Sequence, residues 1–185
     1  MCKVVEFYAH LERNWTDARD SLSEVLTDYW FKCSAGRIAG AVAAGGGNAY
    51  VYRYDHLDSF SAIFATVGGL PEICITRVCH ATELPFSFHN VALNYTFTPA
   101  EAALSDAVVE YWSAFASTGD PNPELDPADA RASEATSWPA FNRSSRQNLR
   151  LAIPISVEST KGLQPGGLAT PGVCEFFDNV VGYNH

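Results

Sequence analysis

Between Thr98 and Pro121 the sequence spells out a helix that cannot stand alone. Thr98-Pro99-Ala100-Glu101 sets threonine and glutamate at capping-box spacing, with proline at the first helical position. Leu104, Val108, Tyr111, Trp112 and Phe115 then recur at i, i+4, i+7, i+8 and i+11, and Gly119 with Pro121 ends the run. Such an aromatic stripe must be buried against something. Two segments with a period of two are available. Asn48 to Asp55 alternates Tyr50, Tyr52 and Tyr54 against Val51, Arg53 and Asp55, a row read as packing ahead of ligand stacking. Leu149, Leu151, Ile153 and Ile155 alternate in the same way, with Pro154 implying an edge or strand-end position.

The flanks read as helices. Thr16 is placed as an N-cap before Asp17 and Asp20, and Leu22, Val25, Leu26 and Tyr29 follow at helical spacing, predicting a helix over Asp17 to Tyr29. Ile38, Ala39, Val42 and Ala43 continue that period beyond Cys33 until Gly45-Gly46-Gly47 stops it. The glycines follow a helix and precede a strand, the reverse of the order that aims helix amides at phosphate, so they read as a turn. A last helix spans Val173 to Val181 and ends at Gly182, while His56 to Asn94 is a long irregular stretch and Asn122 to Ser137 a polar surface loop. The order helix, strand, helix, strand, helix predicts an α/β fold without internal repeats.

A chain of 185 residues with 47% hydrophobic side chains has the length of one domain and enough apolar residues for a core. Twelve basic against twenty-one acidic side chains leave a net charge of −9, which argues against nucleic acid or anionic lipid as a partner. No stretch approaches the roughly 18 to 20 apolar residues of a membrane span. Glu6 and His10 fall where a signal peptide would keep its apolar core, so the sequence as written predicts no secretion signal. Five cysteines (Cys2, Cys33, Cys74, Cys79, Cys174) and three sequons, at Asn14, Asn94 and Asn142, nonetheless suggest a secretory ancestry with glycosylation.

Six segments, in order and in spacing, carry a resemblance: Asp28-Tyr29-Trp30-Phe31-Lys32-Cys33, Val51-Tyr52-Arg53-Tyr54, Cys79-His80-Ala81-Thr82-Glu83-Leu84-Pro85-Phe86, the stretch Tyr111 to Asn122, Trp138-Pro139, and Cys174-Glu175-Phe176-Phe177-Asp178. Together they resemble the carboxyl-terminal part of the type-B carboxylesterases, the cholinesterase-like branch of the α/β-hydrolase fold, best over residues 28–178. The resemblance implies that residues 1–185 form a single partial domain, the last sheet strands and flanking helices of an incomplete sheet. It places the catalytic histidine at His80, a general acid/base that needs a near-neutral imidazole and a carboxylate on its other nitrogen. Residue chemistry alone does not choose His80 over His10, His56, His89 or His185. Glu83 is read as a buttress of the histidine loop, because the family's triad acid lies far upstream. Ala81 stands where family members usually carry glycine, and a positive φ there would strain it by about 1 kcal/mol or more.

The resemblance also implies a disulfide. The family's bridge ties Cys33 to Cys174 and would stabilise by roughly 5 kcal/mol on the chain-entropy model; Cys74 and Cys79, by their own spacing of five beside His80, offer a short bridge that would add about 2 and brace the histidine loop. Zinc ligation by Cys74, Cys79 and His80 is the rival reading, but it lacks Cys-x-x-Cys spacing and a fourth ligand. Nothing calls for a cofactor or a metal. Phe86 and Phe88 are open between lining a substrate mouth and packing in the core.

An esterase of this kind presents its serine on a Gly-x-Ser-x-Gly elbow beside oxyanion-stabilising amides, and that motif does not occur in these 185 residues. The expected role is therefore the His-bearing part of a carboxylic ester hydrolase, with a small-molecule ester as substrate of the complete enzyme and no turnover by this polypeptide alone. It would need the upstream part of the fold as its partner, in a secreted, extracellular setting. Two alternatives are a non-catalytic binding or adhesion module of the same superfamily and a truncated gene product without function.

Overall fold

The structure, a computed structural model, describes residues 3–9, 17–61, 72–90, 96–124, 135–159 and 172–181. Cys2, His10, Asn14, Thr16, Gly68-Gly69, Pro71, Asn94, residues 125–134 of the acidic loop, Gly182 and His185 lie outside them.

Three strands form the sheet: β1 (Tyr52–Tyr54), β2 (Gln147–Leu151) and β3 (Ser156–Ser159), in the order β1-β2-β3. β1 and β2 are parallel, with Tyr52 opposite Leu149 and Tyr54 opposite Leu151, and β2 and β3 are antiparallel. Only the first half of the alternation at residues 149–155 is strand. After Leu151 the chain turns through residues 152–155 and returns as β3, so Ile153 is exposed and Pro154 lies past the strand end, where it removes no ladder donor. β1 is likewise shorter than its tyrosine pattern, although Leu149 N donates to Val51 O and Asp55 N to Leu151 O at 2.9 Å each, continuing the pairing at both ends.

The parallel crossover carries two helices, α4 (Leu84–Ser87) and α5 (Pro99–Thr118), packed on each other. The helix read from Thr98 to Gly119 is present as such: Thr98 and Glu101 form both halves of the capping box, and Gly119 takes a left-handed φ of 79°. Leu104, Val108 and Tyr111 are buried with Phe60, Phe86, Trp138, Leu149 and Leu151 in the main core. The outer end of the stripe is less buried than the periodicity suggests, Phe115 being 48% exposed beside Tyr50. Trp138 Nε1 donates to Val51 O at 3.1 Å, tying the loop after α5 to β1. On the opposite face Arg53, Asp55, Arg150 and Glu158 form an alternating charge network across the three strands.

A second core joins α1 (Lys3–Ala9), α2 (Ala18–Leu26), α3 (Cys33–Ala44) and α6 (Val173–Val181). Its centre is Tyr8, Cys33, Val173 and Phe177, with the Cys33–Cys174 disulfide inside it. Asp17, not Thr16, caps α2: its Oδ1 accepts from Arg19 N at 2.7 Å. α2 and α3 are one continuous run, joined by a π-helical turn at Thr27–Lys32 in which Cys33 N donates to Asp28 O. The helical period was correctly read here, but Leu22 and Ile38 are exposed at 58% and 67%. The helix stops at Ala44, where Gly46 supplies a φ of 80°.

Glu101 does more than close a capping box. Its carboxylate, 2% exposed as a residue, accepts from Thr98 N and Oγ1 and also from Ser59 N and Oγ, both at 2.7 Å, with His56 Nε2 at 3.4 Å. Burial opposes its ionisation, but the Ser59 and Thr98 donors outweigh burial and hold its pKa at about 2. A carboxylate with a depressed folded pKa contributes stability that is complete above its unfolded pKa, here 4.5, and lost as pH falls toward 2. Glu101→Gln should therefore lower stability by about 2 kcal/mol at pH 7 and flatten the acid limb of a melting-temperature profile between pH 5 and pH 2. An unchanged acid limb would show that the cluster is not coupled to folding. Replacing both Cys33 and Cys174 by Ala should cost about 5 kcal/mol in chemical denaturation, and replacing Cys74 and Cys79 only about 2.

Candidate active site

The crossover from β1 to α5 gives His80 its place. A short 3₁₀ turn at Glu72–Ile75 puts Cys74 within reach of Cys79, and the two form a disulfide with a Cα–Cα distance of 5.5 Å. Bonded to each other, these cysteines cannot serve as thiolate ligands. The chain then turns through residues 80–83: Thr82 Oγ1 donates to Cys79 O at 2.8 Å, and Thr82 N bonds the same carbonyl at 3.3 Å. Ala81 occupies the left-handed region at φ 71°, so the strain that the sequence made conditional on a positive φ is present. Leu84 N donates to Ala81 O at 3.3 Å, and α4 starts at once.

His80 is exposed at the head of this turn. Among the described residues its contact is a ring one: the Phe31 ring, on the π-helical turn, lies 5.0 Å away with the planes tilted by 39°. Among the described residues neither imidazole nitrogen has a hydrogen-bond partner. Glu83 is half-buried; burial first, and then the Glu83 charge, pushes the Tyr52 phenol up. Tyr54 is raised further, by burial and by the charges of Asp58, Glu101 and Glu83. The alternatives at the two phenylalanines resolve differently, with Phe86 in the core at 0% exposure and Phe88 at 75%.

The other described histidines hold structural positions. His56 faces Glu101, and His89 Nδ1 lies 2.9 Å from Ser105 Oγ, whose own proton goes to Phe86 O at 2.8 Å. Ser105 thus accepts from His89 and is no nucleophile. Of the sequon asparagines, Asn142 is exposed at a turn where its Oδ1 accepts from Ser144 N at 2.7 Å. Sequence reasoning missed the approach of Phe31 to His80, since nothing local links residues so far apart. No group of three or more metal-binding side chains occurs among the described residues, and no helix there is long and apolar enough to cross a membrane.

An exposed histidine on a disulfide-braced turn after a parallel strand can be set beside known proteins. The carboxylesterase family model matches residues 2–164. This chain belongs to the carboxylesterase family. It is 31% identical over 157 residues to acetylcholinesterase 1 of Caenorhabditis elegans, covering 83% of this chain and 23% of that protein. It is 29% identical over 161 residues to the medium-chain fatty acyl-CoA hydrolase precursor of Anas platyrhynchos, covering 87% and 26%. Among solved structures it is similar to a carboxylesterase of Geobacillus stearothermophilus, with a TM-score of 0.59 and 25% identity, covering 84% of this chain and 29% of that one. This carboxylesterase-family chain thus spans about a quarter of the length of the relatives it matches. Its three-stranded sheet with flanking helices is part of an α/β-hydrolase fold.

The strain at Ala81 makes the turn testable. Ala81→Gly should be tolerated or slightly stabilising in urea denaturation, whereas Ala81→Val, β-branched at a positive φ, should cost about 1–2 kcal/mol. Equal effects of the two would mean that the turn does not require the left-handed region.

Proposed function

We propose that this chain supplies the general acid/base histidine of a carboxylic ester hydrolase, His80, and works together with an upstream part of the fold that carries the nucleophile. The observation that carries the reading is the presentation of His80, exposed on a turn whose far side is pinned by Cys74–Cys79, in a carboxylesterase-family chain. In a neutral imidazole one ring nitrogen accepts the serine proton and returns it to the departing alcohol, while the other is oriented by a carboxylate. Both partners come from outside these residues, which hold no Gly-x-Ser-x-Gly elbow. Glu83, whose charge acts on Tyr52 and Tyr54, seats the histidine turn on β1 instead of polarising the imidazole.

Residues 1–185 then act as one partial domain, and the free side of β1 with the exposed apolar residues near the histidine turn, Val78, Leu84 and Phe88, is the seat of the upstream part. Two disulfides and an exposed sequon at Asn142 support an oxidising, extracellular setting.

A hybrid chain tests the reading: the upstream part of the Geobacillus stearothermophilus carboxylesterase joined to this chain, assayed on p-nitrophenyl butyrate. The unmodified hybrid should hydrolyse the ester, this chain alone should not, and His80→Gln should cut kcat by on the order of 10⁴-fold. Full activity of the His80→Gln hybrid would overturn the assignment.

A further inference from the structure

His80 faces a problem that its own turn does not solve. A general acid/base must keep its imidazole aimed within a fraction of an ångström, yet hydrogen bonds to it must be left for the groups between which it shuttles a proton. The disulfide and the Thr82 bonds fix the backbone at Cys79 and Thr82, not the ring. The side chain that touches the ring is Phe31, 5.0 Å between centroids.

Phe31 is itself held from both sides. The π-helical turn at Thr27–Lys32 is anchored by Asp28, which is 1% exposed, accepts from Tyr8 Oη at 2.9 Å and pairs with Lys32 Nζ at 2.8 Å. It is followed by Cys33, also 1% exposed and bonded to Cys174. The widened turn, closed by the bond from Cys33 N to Asp28 O, sets both of these residues in the second core while Phe31 stands out of it at 48% exposure. A large apolar residue thus stands outside the core and packs its ring against an imidazole. Turns of this kind inside α-helices are frequent at functional sites.

We propose that Phe31 is a positioning residue for His80: its ring, presented by the π-helical turn and tilted by 39° to the imidazole, confines the imidazole to one rotamer by packing against it. An apolar ring makes no conventional hydrogen bond to the imidazole, so both nitrogens keep their hydrogen-bonding capacity for the groups that exchange the proton. The inference rests on the reading of His80 as the general acid/base. It adds that the orientation of His80 is set from the second core, through the Asp28 anchor and the Cys33–Cys174 bridge, and not only from its own loop.

The test is nuclear magnetic resonance of the 185-residue chain, with the His80 signals assigned by their loss in His80→Gln. Wild type should show side-chain couplings of a single His80 rotamer and an upfield ring-current shift of the imidazole Cε1 proton. Phe31→Leu, which keeps an apolar side chain without a ring, should average the couplings and abolish the shift; Phe31→Tyr should restore both. Trp30→Leu removes a neighbouring aromatic, 59% exposed, that makes no such contact, and should change neither. Rotamer averaging in wild type, an unaffected His80 in Phe31→Leu, or an equal effect of Trp30→Leu would each overturn the proposal. In the hybrid enzyme Phe31→Leu should lower kcat about ten- to a hundredfold with KM unchanged. If instead His80→Gln leaves the hybrid active, the catalytic reading of His80 fails while the rotamer result still reports on the contact.

Discussion

β1 runs parallel to β2, the ladder being extended at its two ends by backbone hydrogen bonds from Leu149 to Val51 and from Asp55 to Leu151, and much of the remaining architecture is an answer to that pairing. Parallel neighbours cannot be joined by a tight turn, so the chain must leave the sheet, cross over and return. The crossover contains α4 and α5, whose apolar side chains fill the main core against Leu149 and Leu151. It also contains the histidine turn, which follows the carboxyl end of β1. In open α/β sheets that end is where ligands gather. Glu101 locks this arrangement at the point where the outgoing and returning segments meet, because one buried carboxylate satisfies Ser59 on the way out and Thr98 on the way back.

The two cores divide the work. The sheet core packs α4, which follows the histidine turn directly; the π-helical turn next to the helical core carries the Phe31 ring that contacts the imidazole. Arg77 paired with Asp20 and Arg143 bonded to Gly40 O cross between them. The histidine therefore sits where two independently packed units touch, a common location for binding sites.

What could be read from the sequence follows the range of the interactions. The α5 helix was legible to the residue because capping box, stripe and left-handed glycine all act within a few positions. The sequence raises a positive φ at Ala81 only as a condition, and the backbone meets it. Leu149 and Leu151 are strand, but Ile153 and Ile155 continue the same alternation through the turn before β3, and periodicity does not mark a reversal. The cap of α2 moved one residue because Thr16 and Asp17 are both good caps. The π-helical turn, the Ser59–Glu101 bonds and the Phe31–His80 contact depend on partners from distant segments, and no local pattern encodes them.

The Cys33–Cys174 bridge carries a consequence for how the sheet assembles. The β2–β3 hairpin closes over residues 152–155 and is a local event. Tyr52 and Leu149, by contrast, must meet across nearly a hundred positions of chain. Cys33 and Cys174 flank that pair on the outside, so once they are bonded the path between the two strands shortens to about 45 residues through the sulfur atoms. Halving the loop removes roughly 0.6 kcal/mol of closure entropy from the search for the parallel register. A cross-link in the helical core thus shortens the chain path between the two strands whose pairing gives the histidine turn its footing.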